Sequence, residues 1–161
     1  MGILFLLKTD GWPAVSVVYH CSDLLINYII LRKGVIELAN RDVRLALWSG
    51  TNFSVRRILF RRGGVAVRDL GAFRFNNVLS SFRLRNVVQS SEVTLVLFSR
   101  INFQGSFRVF RGSQNVANLG AFNFNNVTSS FIVVGRNLTN AEIAQIQRTG
   151  RPPRDILIIR Q

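Results

Sequence analysis

The sequence predicts an all-β protein, a β-sandwich made from two copies of one unit. Three observations carry that expectation. The words LGAFRFNNVLSSF from Leu70 and LGAFNFNNVTSSF from Leu119 differ only at Arg74/Asn123 and Leu79/Thr128. The likeness runs backwards, with VRLALWSGTNFSVRRILFRRGG from Val43 lining up on VTLVLFSRINFQGSFRVFRGSQ from Val93. Within both copies apolar residues alternate with a period of two, as on half-buried strands. A repeat of this size is a supersecondary unit that cannot bury its own apolar face alone. Two such units can face one another and enclose a single core.

The elements follow in chain order. Residues 1–42 stand outside the duplication and read as an N-terminal β-rich extension. Its apolar runs ILFLL, AVSVVYH, LLINYIIL and GVIELAN are separated by KTDGWP, CSD and RKG, and LLINYIIL also admits a helix. The first unit covers residues 43–87. Val43, Leu45 and Leu47 share one face of a strand, GTN turns the chain, and Ile58 and Phe60 begin a second strand. A polar loop at RRGG, a short strand, a bend at NNV and a last strand from SSF complete it. The second unit, residues 93–136, repeats this order with Val93, Leu95 and Leu97, a turn at RIN, then Phe107 and Val109. Four short strands per unit with regular turns suit a sandwich. Alternation in AFRFNN and AFNFNN suggests that Phe73, Phe75, Phe122 and Phe124 share one face and pack into the core.

Residues 137–161 read as a C-terminal helix and strand. Thr139 is a helix N-cap with Glu142 three positions on, a capping box, before AEIAQIQ. Gly150 and RPP stop the helix, and DILIIR reads as a last strand. Apolar strands at both ends are expected to pack within the chain. The alternative is pairing with a neighbouring subunit, because a free apolar edge invites strand addition.

Composition narrows the class. Hydrophobic residues make up 48% of the chain, enough for a real core at 161 residues. No apolar run reaches the roughly 20 residues that span a bilayer. The start MGILFLLKTDG has no basic region and too short an apolar stretch for a secretory signal. The expectation is a soluble protein, cytoplasmic or released by a route needing no such signal. The single cysteine, Cys21, gives no intramolecular disulfide framework and sits beside the single histidine, His20. Neighbours in a strand point to opposite faces, so the pair reads as a buried thiol beside a surface imidazole.

The formal charge is +13, with two lysines among 21 basic residues. Such a balance favours polyanions, and arginine suits bidentate phosphate or carboxylate contacts. In VRRILFRR, Arg56, Arg57, Arg61 and Arg62 surround an apolar strand and are candidate anion-binding residues, either as a basic stripe or as charges guarding an edge strand.

The second unit carries Phe98 and Phe103 followed by Gly105, and both units carry Asn-Asn-x-x-Ser-Ser, at Asn76–Ser81 and Asn125–Ser130. Residues 43–134 thereby resemble the βγ-crystallin family in its calcium-binding, microbial form. The resemblance implies a Greek-key sandwich in which the two motifs meet across a pseudo-twofold axis and build paired calcium sites. It implies side-chain ligands from Asn77, Ser80, Asn126 and Ser129, with Asn76 and Asn125 and the Val78 and Val127 carbonyls completing the loops. It gives Ser81 and Ser130 a structural role, bonding back to the folded hairpin of their own unit, and Gly105 the corner of that hairpin. The first unit departs from the pattern, because Val55 stands where Gly105 stands. A β-branched residue is an outlier at the positive φ of such a corner, so that hairpin is expected to turn differently, through Gly50.

Calcium takes about 6–8 oxygen ligands. Asn, Ser and backbone carbonyls supply neutral oxygens, and no carboxylate occurs in either motif, so weak to moderate affinity is expected. The leading expectation is a non-enzymatic calcium-binding structural protein, the metal stabilising the fold or an assembly. The alternatives are an arginine-driven binder of nucleic acid or a cell-surface polymer, and a homo-oligomeric subunit of a self-assembling surface structure or filament. No nucleophile elbow, P-loop or acid pair in the sequence suggests an enzyme.

Overall fold

The computed structural model describes residues 43–154 and 156–159. The strands expected in residues 1–42 and the His20–Cys21 pair lie outside them. The first unit forms β1 (Val43–Gly50), β2 (Ser54–Arg61), β3 (Gly64–Val67) and β4 (Ser81–Asn86). The second forms β5 (Thr94–Arg100), β6 (Gln104–Arg111), β7 (Gln114–Val116) and β8 (Ser130–Val134). They are followed by α1 (Asn140–Thr149) and β9 (Leu157–Ile159).

The strands build two sheets, in the orders β2-β1-β4-β7 and β6-β5-β8-β3-β9. The units have exchanged their third strands. β3 pairs antiparallel with β8 of the second unit, and β7 pairs antiparallel with β4 of the first. This exchange makes a Greek-key sandwich in which each sheet needs both units. The alternating residues of the first strands, Val43, Leu45, Leu47, Val93, Leu95 and Leu97, face inward, whereas Phe107 and Val109 fall on the outer side of β6, Phe107 exposed and Val109 against the α1 cluster. Leu45, Leu47, Phe82 and Leu84 meet Leu95, Leu97, Phe131 and Val133 in one core, with Ile58 and Phe60 packed against it. At about 25 cal/mol per Å² of apolar surface, burying such side chains is the main stabilising term.

The two LGAF words are one-turn 3-10 segments, Leu70–Phe73 and Leu119–Phe122. The Asp69 carboxylate accepts from the Gly71 amide and the Asn118 side chain from the Gly120 amide, both at 2.7 Å, which caps each turn. Arg74 and Asn123 then adopt left-handed conformations. That geometry corrects the shared-face expectation for the phenylalanines. Phe75 and Phe124 are buried, Phe73 is half-buried, and Phe122 stands exposed, because a 3-10 turn does not preserve two-residue alternation. Thr128 takes the place of Leu79 at a fully buried position, where its hydroxyl finds no hydrogen-bond partner.

The outer faces of the sheets differ. That of the second sheet is apolar and carries α1, whose Ile143 and Ile146 pack with Val96, Phe98, Ile132 and Val134. The capping box forms as expected, with the Thr139 hydroxyl accepting from the Glu142 amide and the Glu142 carboxylate accepting from the Thr139 amide. β9 joins this sheet by pairing parallel to β3.

Candidate functional site

The hairpin corners and the Asn-Asn loops lie against each other by construction. In β1 the register slips between Trp48 and Gly50, and in β5 between Phe98 and Arg100. Such a bulge takes one residue out of the ladder and re-aims it. The residues released are Ser49 and Ser99, and their carbonyl oxygens turn toward the Ser-Ser pairs.

Two matching oxygen clusters result. Ser80 Oγ lies 3.0 Å from the Ser49 carbonyl, 3.0 Å from Asn126 Oδ1 and 3.4 Å from the Val78 carbonyl. Ser129 Oγ lies 3.1 Å from the Ser99 carbonyl and 3.1 Å from Asn77 Oδ1. Each cluster therefore combines the serine of one unit with the asparagine of the other. The loops are locked in that exchange by backbone bonds, Asn77 N–H to the Thr128 carbonyl and Asn126 N–H to the Leu79 carbonyl. Asn77 and Asn126 hold φ of 54° and 55°, the left-handed region that asparagine tolerates.

Proton counting sets the chemistry. A serine hydroxyl donates one hydrogen bond at a time. Ser80 Oγ faces three acceptor oxygens and Ser129 Oγ two, and both serines are nearly fully buried, at 4% and 5% exposure. These clusters hold more lone pairs than protons. Every oxygen gathered there is of the neutral hydroxyl, amide or carbonyl kind that a hard cation such as calcium accepts. Asn76 and Asn125 are exposed and make no side-chain hydrogen bond among the described residues, so the structure does not draw them into the clusters. The Val127 carbonyl is likewise not brought to Ser129, unlike its counterpart at Val78. No group of three or more His, Cys, Asp or Glu side chains gathers among the described residues.

Ser81 and Ser130 pin the corners of their own units. Ser81 Oγ accepts from the Phe53 amide and donates to the Gly50 carbonyl, at 3.1 and 2.6 Å. Ser130 Oγ does the same with the Phe103 amide and the Arg100 carbonyl. The first corner does not turn differently. Asn52, Phe53 and Val55 have φ of 55°, 60° and 65°, tracking Asn102, Phe103 and Gly105 at 57°, 63° and 81°. The surrounding bonds impose the corner on Val55 in spite of its side chain, which corrects the expectation of a turn through Gly50.

The four arginines of VRRILFRR do not form one stripe. Arg56 turns inward, donating to the Arg74 and Phe73 carbonyls at 3.1 and 2.7 Å and lying over the Phe75 ring. Arg108 does the equivalent work in the second unit, through the Phe122 carbonyl and the Phe124 ring. Arg57 and Arg61 stay on the outer face of the first sheet, and Arg62 follows the strand end. Sequence reasoning missed the Ser49 and Ser99 carbonyls, for which the paired Ser at the end of each first strand was the one available signal.

The exchanged Greek keys with their crossed Asn/Ser loops define the βγ-crystallin domain fold, and the chain has that fold. It is similar to a solved structure described under the evolution of the eye lens βγ-crystallin domain fold, with 24% identity and a TM-score of 0.50. The match covers 65% of this chain and 96% of that one. A βγ-crystallin from Ciona intestinalis is 21% identical over 58% of this chain and 99% of its own, with a TM-score of 0.44. The N-terminal domain of protein S is 22% identical over 59% and 99%, with a TM-score of 0.45. No family model matches the sequence, and no curated protein matches it.

Proposed function

We propose that the protein is a non-enzymatic, calcium-binding structural protein in which two ions tie the units together. The observation that supports this most is the excess of acceptors over protons around Ser80 and Ser129. One ion would be held by Ser80, Asn126 and the Ser49 and Val78 carbonyls, the other by Ser129, Asn77 and the Ser99 carbonyl, with water completing each shell. The metal supplies cross-linking rather than chemistry. It neutralises crowded lone pairs and joins a loop of one unit to a loop of the other, which stabilises the native state by mass action.

The donors are neutral and the molecule cationic, so affinity falls in the range of extracellular calcium modules, about 0.1–1 mM. At about 10 mM calcium such binding adds roughly 1–3 kcal/mol per site, a rise of several degrees in melting temperature. The measurement compares melting in calcium, in magnesium and in chelator, for the parent and for Ser80→Ala/Ser129→Ala. The parent gains stability with calcium and the double variant does not. A parent indifferent to calcium, or a double variant that responds equally, overturns the reading.

A further inference from the structure

The outer face of the first sheet collects arginines that lie far apart in sequence. In the register of β1 with its neighbours, Arg44 stands opposite Arg61 on β2 and opposite Arg85 on β4. One pair further along, Ala46 stands between Leu59 and Arg83, and Arg57 stands beside Trp48. The side chains of Arg44, Arg57, Arg61 and Arg85 are exposed and make no hydrogen bond or ion pair among the described residues. The described residues hold sixteen arginines against Asp69, Glu92 and Glu142, and their one ion pair with both partners described is Arg136–Glu142.

Arg61–Arg44–Arg85 is a row of like charges directly opposed across three strands. Such pairs are destabilising in a sheet, and among the described residues no carboxylate is set beside them to relieve the repulsion. A second copy of this face would add to it, which excludes self-association through the row. Nor is the face built to enter a membrane. Ala46 and Trp48 at its centre are 9% and 8% exposed, and Leu59, 40% exposed opposite Ala46, is flanked by Arg57 and Arg61, which leaves too little apolar surface to insert. Arginine in place of lysine favours bidentate contacts to phosphate oxygens. Arg83 adds a feature specific to unpaired bases. Its guanidinium lies 4.2 Å from the Phe53 ring centroid and 5.5 Å from that of Trp48, which holds it as a flat plate. Bases stack on such guanidinium planes when they are free of a duplex.

We infer that this face, centred on the Arg61–Arg44–Arg85 row, binds the phosphate backbone of single-stranded nucleic acid, with Arg83 as a stacking platform. Positions i and i+2 lie about 6.8 Å apart along a strand and neighbouring strands about 4.8 Å apart, so Arg57, Arg61, Arg44, Arg83 and Arg85 form a lattice rather than a point. An open cleft of about 520 Å³ lies beside Arg44 and Arg85 and is lined further by Asn86, Ser113 and Asn115. This surface is separate from the Ser80 and Ser129 clusters and does not depend on calcium.

The test is fluorescence anisotropy of a labelled mixed-sequence single-stranded oligonucleotide against the full chain over a salt series. Four phosphate contacts, from Arg44, Arg57, Arg61 and Arg85, on a single strand give a log–log slope near −2.8, about a 50-fold loss of affinity between 50 and 200 mM salt. Arg44→Gln/Arg61→Gln/Arg85→Gln weakens binding at least tenfold and flattens the slope by about 2. Arg44→Gln alone, which leaves the row's other members, flattens it by about 0.7. Arg83→Ala weakens binding without a matching change in slope. Arg148→Gln/Arg151→Gln/Arg154→Gln removes the same charge at the end of α1 and just after it, and changes binding less than twofold. Equal losses in the two triple variants would mean that net charge alone attracts the strand, and the inference fails. It fails equally if duplex of the same length binds better than single strand, if anionic phosphatidylserine vesicles bind through the row while the oligonucleotide does not, or if nothing binds at low salt.

Discussion

Val55 shows how far hydrogen bonding can impose a conformation on an unsuited side chain. It is 83% exposed and sits at φ 65°, where its twin is Gly105 at φ 81°. Left-handed backbone costs an L-residue about 1–2 kcal/mol, and exposure means that no burial offsets it. Glycine returns about 0.5–1 kcal/mol of this through its freer unfolded chain. Val55→Gly is therefore expected to stabilise the protein by roughly 0.5–1 kcal/mol, seen as a higher urea midpoint at unchanged slope. The same residue marks a limit of sequence reading. Val55 is a poor corner residue by composition, and the corner forms because Ser81, bonded to Phe53 and Gly50, fixes the chain before it, while the Arg56 amide donates to Ser49 Oγ just after it. The Ser49 and Ser99 carbonyls escaped the sequence for a related reason. A carbonyl direction depends on where the ladder slips, and no side chain encodes that.

Among the elements, α1 was the most legible, because a capping box and a terminal glycine are local signals. Its attachment was not. Gln147 Nε2 donates to the Gly105 carbonyl at 2.8 Å and Gln104 Nε2 to the Gln147 carbonyl, so the helix is tied to the corner of the second unit. Glu142 holds the other end. Burial pushes its carboxyl up, but the Thr139 amide, the Arg136 guanidinium at 2.8 Å and the Thr139 hydroxyl outweigh this and hold it below the usual carboxylate range. A depressed native pKa contributes stability that is fully present above the unfolded value near 4.5 and lost as pH falls through the native one. Glu142→Gln should thus lower stability by about 1 kcal/mol at neutral pH. That difference from the parent should shrink as pH falls below 4.5 and through the lowered native value, as followed by denaturant titration across pH. A gap that stays constant with pH would assign the cost to shape rather than charge.

For the whole molecule the governing quantity is unbalanced charge. With sixteen arginines against three carboxylates among the described residues, screening relieves more repulsion than attraction. The melting temperature is expected to rise by several degrees between about 20 and 200 mM sodium chloride. A fold held by surface ion pairs would show the opposite trend. The two-unit sandwich was legible because duplication writes itself twice in the sequence. The arginine row was not, since Arg44, Arg61 and Arg85 become neighbours only through strand order. The exchange of third strands was equally hidden, and it governs how the chain must assemble in time. β3 ends at Val67, yet the strand it pairs with, β8, ends at Val134. At about 5–20 residues per second of synthesis, the first unit waits several seconds with a bare edge before its partner leaves the ribosome. Neither half can fold ahead of the other, so the nascent chain stays open to aggregation or to a chaperone until the second unit closes both sheets in one cooperative step.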